Sequence, residues 1–348
     1  VGHGLYYKQH HTAQRIYERL VEEQGYTGSY SVVQRYLKKC RSVQTEKANL
    51  ELVWDPGPAQ VDFGEADFYE SGKLIRKKYL TLSFPYSNDG YSQVFGGETA
   101  ECVCQGLVDI FEFIGGVPPL LIFDNATGVG RRIGDVIHEA ELFSRFRAHY
   151  HFRVRFCNPY SGWEKGNVEN KVGYLRRNHL VPIPRFDDLT EQNKQFLVCC
   201  ETDMQREHYE DGNGCFIREL FEEDVAHLRP LPSVPFDTAN YITAKTDRYG
   251  KFTLDAGKHR YSASPVFCES IVNLKITSAS VTVLDQDMHE IVRHKRLYGS
   301  DHESMDWVPY LAYIARKPRS LRNSGIYDMM PQTMRLYMDS CESKDRGR

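Results

Sequence analysis

Four acidic residues in three segments are of the types that phosphate-ester chemistry uses. Asp62 lies in "QVDFGEADF", Asp124 follows the apolar run "LLIF", and two glutamates, Glu164 and Glu169, fall in "NPYSGWEKGNVENKVGYLRRN". Carboxylate oxygens converging from separate segments suit a hard divalent cation such as Mg²⁺, which keeps several of its waters. Two such ions roughly 3.5–4 Å apart activate an attacking oxygen and stabilise the leaving one, so no side-chain nucleophile is needed. None is evident in the sequence. Three of these acids also have a plain structural explanation: a bulge or edge position for Asp62, an Asp-Asn turn for Asp124, and a solvated loop charge for Glu164.

The elements around the acids decide whether they can meet. Strand alternation puts Asp62 on one face with Gly64 and Ala66, which leaves room beside the carboxylate. Asp124 ends a short apolar strand, where open α/β sheets place their ligand crevices. A helix starting near Gly166 buries Val168, Val172 and Leu175 and sets Glu169 in its first turn, at the border of that stripe. Glu164 then precedes the helix. Arg176, seven residues after Glu169, lies on the same side of that helix.

The expected element order over residues 59–178 is three strands, helix, strand, helix, strand, helix, a mixed α/β sheet whose first three strands form a meander. Before it, "HTAQRIYERLVEEQG" and "VVQRYLKKCR" read as two short helices, with Thr12 and Ser31 as N-cap candidates and Gly25 as a stop. The stripes are Ala13, Ile16, Tyr17, Leu20 and Val21, then Val33, Tyr36 and Leu37. This is a candidate helix-turn-helix offering Gln34, Arg35, Lys38 and Lys39 to DNA. After the sheet come an acidic helical stretch, several period-two strands that suggest a small β-barrel, and a basic, irregular tail containing "RKPRSLR". The expected divisions are 1–45, helix-turn-helix; 46–58, linker; 59–185, catalytic core; 186–235, acidic helical segment; 236–299, barrel; and 300–348, tail.

Composition sets the outer bounds. The chain has 348 residues, 41% hydrophobic and 26% charged, as in an ordinary globular protein of two or three domains. Its net charge of −3 hides a strong asymmetry. Residues 1–45 hold seven Lys/Arg against three acids, and residues 165–185 hold five against one, whereas 187–224 hold twelve acids against three bases. A phosphate backbone responds to local charge, because salt screens beyond about 8–10 Å. The basic segment makes Lys165, Lys171, Arg176 and Arg177 further candidate DNA contacts. Nine cysteines without a C-x-x-C pair suit reduced thiols in a cytoplasm. The first residue is Val1, which suggests a trimmed N-terminus.

At this point the chain resembles a known family, the IstA-type insertion-sequence transposases within the DDE transposases and retroviral-type integrases. "QVDFGEADF", "LSFPYSNDGYSQVF", "GGVPPLLIFDNAT", "FCNPYSGWEKGNVENKVGYLRRN" and "HYEDGNGCFIRELFEED" carry the resemblance. "PYSGWEKGNVE" aligns without a gap to the stretch before the integrase-type catalytic glutamate, which selects Glu169. The resemblance implies an RNase H-like core with Asp62, Asp124 and Glu169 as catalytic ligands of Mg²⁺, for which Mn²⁺ can substitute. It also implies 3′-end cleavage of transposon DNA and transfer of that end to target double-stranded DNA. The implied partners are further copies in a homo-oligomer and an AAA+ ATPase helper of the IstB type, in a bacterial cytoplasm at the nucleoid. The extra length between Asp124 and Glu169 fits a loop around residues 128–137. The competing readings are a non-catalytic DNA-binding regulator or decayed transposase, and a simple metal-dependent nuclease of the same fold.

Overall fold

A computed structural model describes residues 13–43, 53–123, 128–133, 136–157, 162–208, 215–316, 321 and 325–340; the side chains at 15, 40–43, 132–133, 136 and 162–167 are outside that set. The chain divides into two compact units, residues 1–52 and 53–348. Among the described residues no helix is long and apolar enough to cross a membrane.

The first unit is a pair of helices, α1 (Ala13–Gln24) and α2 (Tyr30–Val43). Gly25 stops α1 in a left-handed conformation, φ +64°, and its N–H donates to the Val21 carbonyl. Tyr17 makes edge contacts with Tyr26 and Tyr30 across the turn. Helix α2 begins one residue before Ser31, so Ser31 lies within its first turn; Thr12 is outside the described residues. Val33 is buried, but Tyr36 and Val21, expected on the apolar stripes, are exposed, because two short helices cannot enclose a full face each. Gln34, Arg35, Lys38 and Lys39 are all exposed.

The second unit is built on a mixed sheet. Strands β1 (Ala59–Glu70), β2 (Lys73–Phe84) and β3 (Asp89–Phe95) form the expected antiparallel meander. Ser71 and Gly72, both at positive φ, make the two-residue turn between β1 and β2. Helix α3 (Ala100–Ile114) crosses to β4 (Leu120–Phe123), which lies parallel to β1. A short hairpin, β5 (Gly130–Ile133) with β6 (Val136–Glu139), occupies the stretch expected to be a loop, and it takes the first residues expected in the next helix. Helix α4 (Glu141–Tyr150) leads to β7 (Arg153–Phe156), parallel to β4. Helix α5 (Gly162–Asn178) starts four residues before Gly166, so the Glu164 backbone is helical rather than in a preceding loop. The sheet order is β3-β2-β1-β4-β7.

One face of the sheet carries Val61, Leu80 and Leu82 into a core shared with Cys102, Cys104 and Leu107 of α3 and Phe143 and Phe146 of α4. Helix α3 is buried on most sides, which explains how Cys102 and Cys104, two apart, are both fully enclosed. The described cysteines are free thiols. Asp109 on α3 accepts a bond from Gln105 Nε2 at 2.8 Å, and burial raises its carboxyl from the usual aspartate value to about 6. A raised carboxyl stabilises the fold below its unfolded pKa, and that contribution is lost as pH rises through about 6. Asp109→Asn should therefore gain up to about 3 kcal/mol at pH 7.5 and nothing at pH 3.5. Urea melts at the two pH values measure this; an equal effect at both would contradict it.

The acidic stretch is part of the same core. Strand β8 (Arg185–Phe186) pairs with the far end of β1, and α6 (Leu189–Thr202) and α7 (Ile217–Ala226) bury Phe196, Leu197, Cys200 and Phe221 in it. Asn193 on α6 satisfies the edge of β3: its Oδ1 accepts from Val94 N at 2.7 Å and its Nδ2 donates to Val94 O at 3.0 Å. That blunts an otherwise exposed strand edge.

Strands β9 (Asn240–Lys245), β10 (Lys251–Leu254), β11 (His259–Ser262), β12 (Ile271–Ile276), β13 (Ser280–Leu284), β14 (Glu290–Lys295) and β15 (Glu303–Ser304) follow. They form two sheets, β14-β13-β12-β9 and β10-β11-β15, over one core of Phe252, Tyr261, Leu274 and Val283. The described strands therefore make a two-sheet sandwich rather than one continuous closed barrel, and it extends past residue 299 through β15. Tyr298 joins it to the main sheet: its ring covers Gly96 and Gly97, and its hydroxyl donates to Ser278 O at 2.7 Å. The tail is not irregular. It contains α8 (Leu311–Arg316), α9 (Gly325–Met329) and α10 (Gln332–Ser340), while most of "RKPRSLR" lies outside the described residues.

Candidate active site

Asp62 is the fourth residue of the central strand β1, half-buried, on the face that α5 crosses. The rows beside it explain the approach. Gln60, Ser83 and Gly90 are register partners across β1, β2 and β3, as are Asp62, Thr81 and Ser92. These are small or polar residues, so a helix can pass close to the strand. Thr81 and Ser92 satisfy each other at 2.8 Å.

Two contacts fix α5 on either side of Asp62. Gln60 Oε1 accepts from the Val168 N–H at 3.1 Å. On the other side, the ring of Tyr79 lies over Gly64, where any Cβ would collide with it, and the Tyr79 hydroxyl donates to the Val172 carbonyl at 2.9 Å. Arg176 Nε donates to the same hydroxyl at 3.2 Å. Asp62 thus sits between the anchors of Val168 and Val172, and Glu169 follows the first of them on the exposed side of α5. Val168, Val172 and Leu175 form the buried stripe that the spacing predicts.

Strand β4 brings the third segment alongside: its last described residue, Phe123, pairs in register with Val61, the residue before Asp62. Asp124, next in the chain, lies outside the described residues, as do the side chains of Glu164 and Lys165. The donor set at the described positions, carboxylate oxygen from strand and helix, is the kind a hard divalent cation takes. Arg176 and Arg177 are exposed on the last turns of α5. Arg176 lies near Glu65, whose carboxyl is held below its usual value, chiefly by Lys78.

Lys171, expected as a DNA contact, is instead 2% exposed and faces inward. Its Nζ donates to Asn88 O at 3.2 Å and stands 3.7 Å from Asp203 Oδ2. The physical reason is helical spacing: residue 171 is three past Val168, inside the buried stripe. That signal was present in the sequence but was outweighed by the basic composition around it. Asp203 and Asp89, which surround this lysine, were not singled out from sequence, because their roles depend on contacts between distant segments. A separate cluster, Asp285, Asp287 and His289, lies on the exposed turn before β14. There Asp285 Oδ1 accepts the N–H groups of Asp287 and His289, as a turn requires.

The strand order β3-β2-β1-β4-β7, with the first three strands antiparallel and β4 and β7 parallel to the central β1, makes an RNase H-like mixed sheet. Sequence comparison finds similar proteins. A transposase of Aminobacter aminovorans is 28% identical over 98% of this chain and 69% of its own length. The transposase for insertion sequences IS1326/IS1353 of Pseudomonas aeruginosa is 26% identical over 88% and 62%. The transposase for insertion sequence element IS21, also of Pseudomonas aeruginosa, is 25% identical over 74% and 66%. The chain is similar in sequence to insertion-sequence transposases over most of its length. It spans about two thirds of the length of these curated relatives. No family model matches it. Among solved structures, a chain of the simian T-cell lymphotropic virus intasome overlays 78% of this chain at a TM-score of 0.37 and 12% identity. The catalytic core domain of BIV integrase overlays 49% at 0.33 and 14%.

Proposed function

We propose that this chain binds the ends of an insertion sequence, cleaves their 3′ strands and joins them to target double-stranded DNA, with Asp62, Asp124 and Glu169 holding Mg²⁺, or Mn²⁺ in its place. The observation that carries this reading is the clamping of α5 across the Asp62 face by Gln60 and Tyr79. In this reading the clamp turns a helical acid, Glu169, toward the strand acid from a different segment. When bound, the metal pair supplies an activated water or 3′-hydroxyl and charge stabilisation at the leaving oxygen. The chain's own residues do the rest. Gln60 and Tyr79 hold the height of α5, and the guanidinium of Arg176 is set by Tyr79 where a phosphate can meet it.

Besides Arg176 on α5, DNA contacts in this reading come from two further surfaces. The helix-turn-helix offers Gln34, Arg35, Lys38 and Lys39, all exposed. The β14-β13-β12-β9 sheet offers Tyr241, Lys275 and Arg293, which share one cross-strand row through the buried Thr282, with Lys275 Nζ 5.7 Å from the Tyr241 ring centroid. A Lys275→Glu/Arg293→Glu variant should weaken end binding and lower the slope of log affinity against log salt by about 2. Titrations at several salt concentrations read this out, and an unchanged slope removes the sheet from the interface. Assembly as a homo-oligomer on paired ends and cooperation with an AAA+ ATPase helper belong to the same reading.

The test is cleavage and joining of cognate terminal DNA with Mg²⁺ or Mn²⁺ by the full chain, alongside Asp62→Asn, Asp124→Asn, Glu169→Gln and Glu164→Gln. Cleavage that survives in Glu169→Gln and fails in Glu164→Gln moves the ligand to Glu164. Specific end binding with no cleavage under either metal favours a non-catalytic regulator.

A further inference from the structure

We infer that Lys171 is a positioning residue for the metal site: a buried lysine on the inward face of α5 sets the rotation of that helix and hence the direction of Glu169. The inference rests on the proposed role of Glu169.

Lys171 is an expensive residue to enclose. Its side chain is 1% exposed, and it lies among buried acids: Asp203 at 3.7 Å, and Asp89, which is fully enclosed at the start of β3. Its aliphatic chain lies against Gly90, where a Cβ would stand 3.0 Å from Lys171 Cε. Its Nζ also lies 5.5 Å from the Tyr174 ring centroid. Asp203 is held in turn by the Tyr174 hydroxyl at 3.1 Å, His179 at 3.1 Å and Arg206 at 3.5 Å. Buried charge networks of this kind seldom add stability over apolar packing of the same volume, so stability alone does not account for a lysine here. What a polar anchor provides and a leucine does not is direction.

The geometry gives that direction a consequence. Residues two apart on an α-helix point about 200° from each other, so Lys171 and Glu169 lie on nearly opposite sides of α5. The inward end is tied to the β2–β3 turn through Asn88 O and to the segment after α6 through Asp203. If α5 rolls by about 10°, a side-chain tip on the opposite side, about 5–6 Å from the axis, moves by about 1 Å. Metal ligands tolerate about 0.2 Å. The contacts of Val168 and Val172 fix the height of the helix near the strand, and Lys171 supplies a third point, away from the strand acid, that resists roll.

The test compares the full chain with Lys171→Met and with Lys171→Met/Asp89→Asn, the second removing the acid left without its cation. Three quantities are read: the melting temperature, Mn²⁺ binding without DNA by electron paramagnetic resonance, and the Mg²⁺ concentration for half-maximal end cleavage. Lys171→Met should melt lower, and the double variant should recover most of that loss. In both, half-saturation by Mn²⁺ and the Mg²⁺ requirement should rise at least fivefold. Recovery of metal binding together with the melting temperature would show that the lysine serves the fold alone and overturn the inference. So would unchanged metal binding in Lys171→Met, or failure of both variants to fold. A wild-type chain without metal-dependent cleavage would instead sink the proposed function, whereas wild-type cleavage with unaltered variants sinks only this inference.

Discussion

Asp62→Asn should remove end cleavage and strand transfer by roughly 10³-fold or more while leaving end binding intact. The substitution keeps the side-chain volume and removes the charge that a divalent cation requires. Loss of a partner in the outer shell of a metal site costs about 10–100-fold, and loss of a ligand costs more. End binding survives because phosphate contacts come from cations on other surfaces. Asp62 also sits between the two contacts that fix α5, so the neutral variant should keep the native melting temperature within a few degrees. Asp124→Asn and Glu169→Gln should match it in cleavage, and Glu164→Gln should resemble the wild type. Single-turnover cleavage of labelled terminal DNA, with a parallel binding titration, checks all four. An Asp62→Asn chain that cleaves within tenfold of wild type would remove the carboxylate from the mechanism.

The second large effect falls on Gly64. The Tyr79 ring occupies the space where a side chain at 64 would go, and the two residues face each other across β1 and β2. Gly64→Val must push the ring aside, which breaks the bond to the Val172 carbonyl and releases one side of α5. Overpacking of this kind costs about 1–3 kcal/mol, and the buried hydrogen bond adds about 1 kcal/mol. At about 2–4 °C per kcal/mol, the melting temperature should fall by roughly 4–16 °C. Tyr79→Phe keeps the ring and loses only the hydroxyl, so it should cost about 1–2 kcal/mol and lower cleavage by a smaller factor. Calorimetry of the three proteins orders them. A Gly64→Val chain as stable as wild type would mean that α5 does not depend on this contact.

These outcomes separate what was legible in the residues from what was not. The meander, α3 and the buried stripe Val168, Val172 and Leu175 were visible because period-two and 3.6-residue patterns are local properties. So was the pairing of Asp62 with small neighbours on one strand face. Local patterns failed where a partner decides the outcome. Residues 137–139 read as the start of a helix but lie in the second strand of a hairpin, because β5 is there to pair with them. The tail reads as irregular, yet β15 adds to β11 and helices follow. The acidic stretch looked like a separate segment, but the apolar residues of α6 and α7 complete the main core.

The sequence by itself determined the five strands and three helices of the main sheet layer, the candidate acids and the family resemblance, since each is written in spacing or in short motifs. Only the tertiary structure decided the use of the cations. Arg176 and Lys171 belong to one basic stretch and are five residues apart, yet one is exposed beside Tyr79 and the other is enclosed with Asp89 and Asp203. Composition counts their charges alike. The direction of each around the helix axis, and the residues that other segments bring to meet it, make one a candidate phosphate contact and the other an internal anchor.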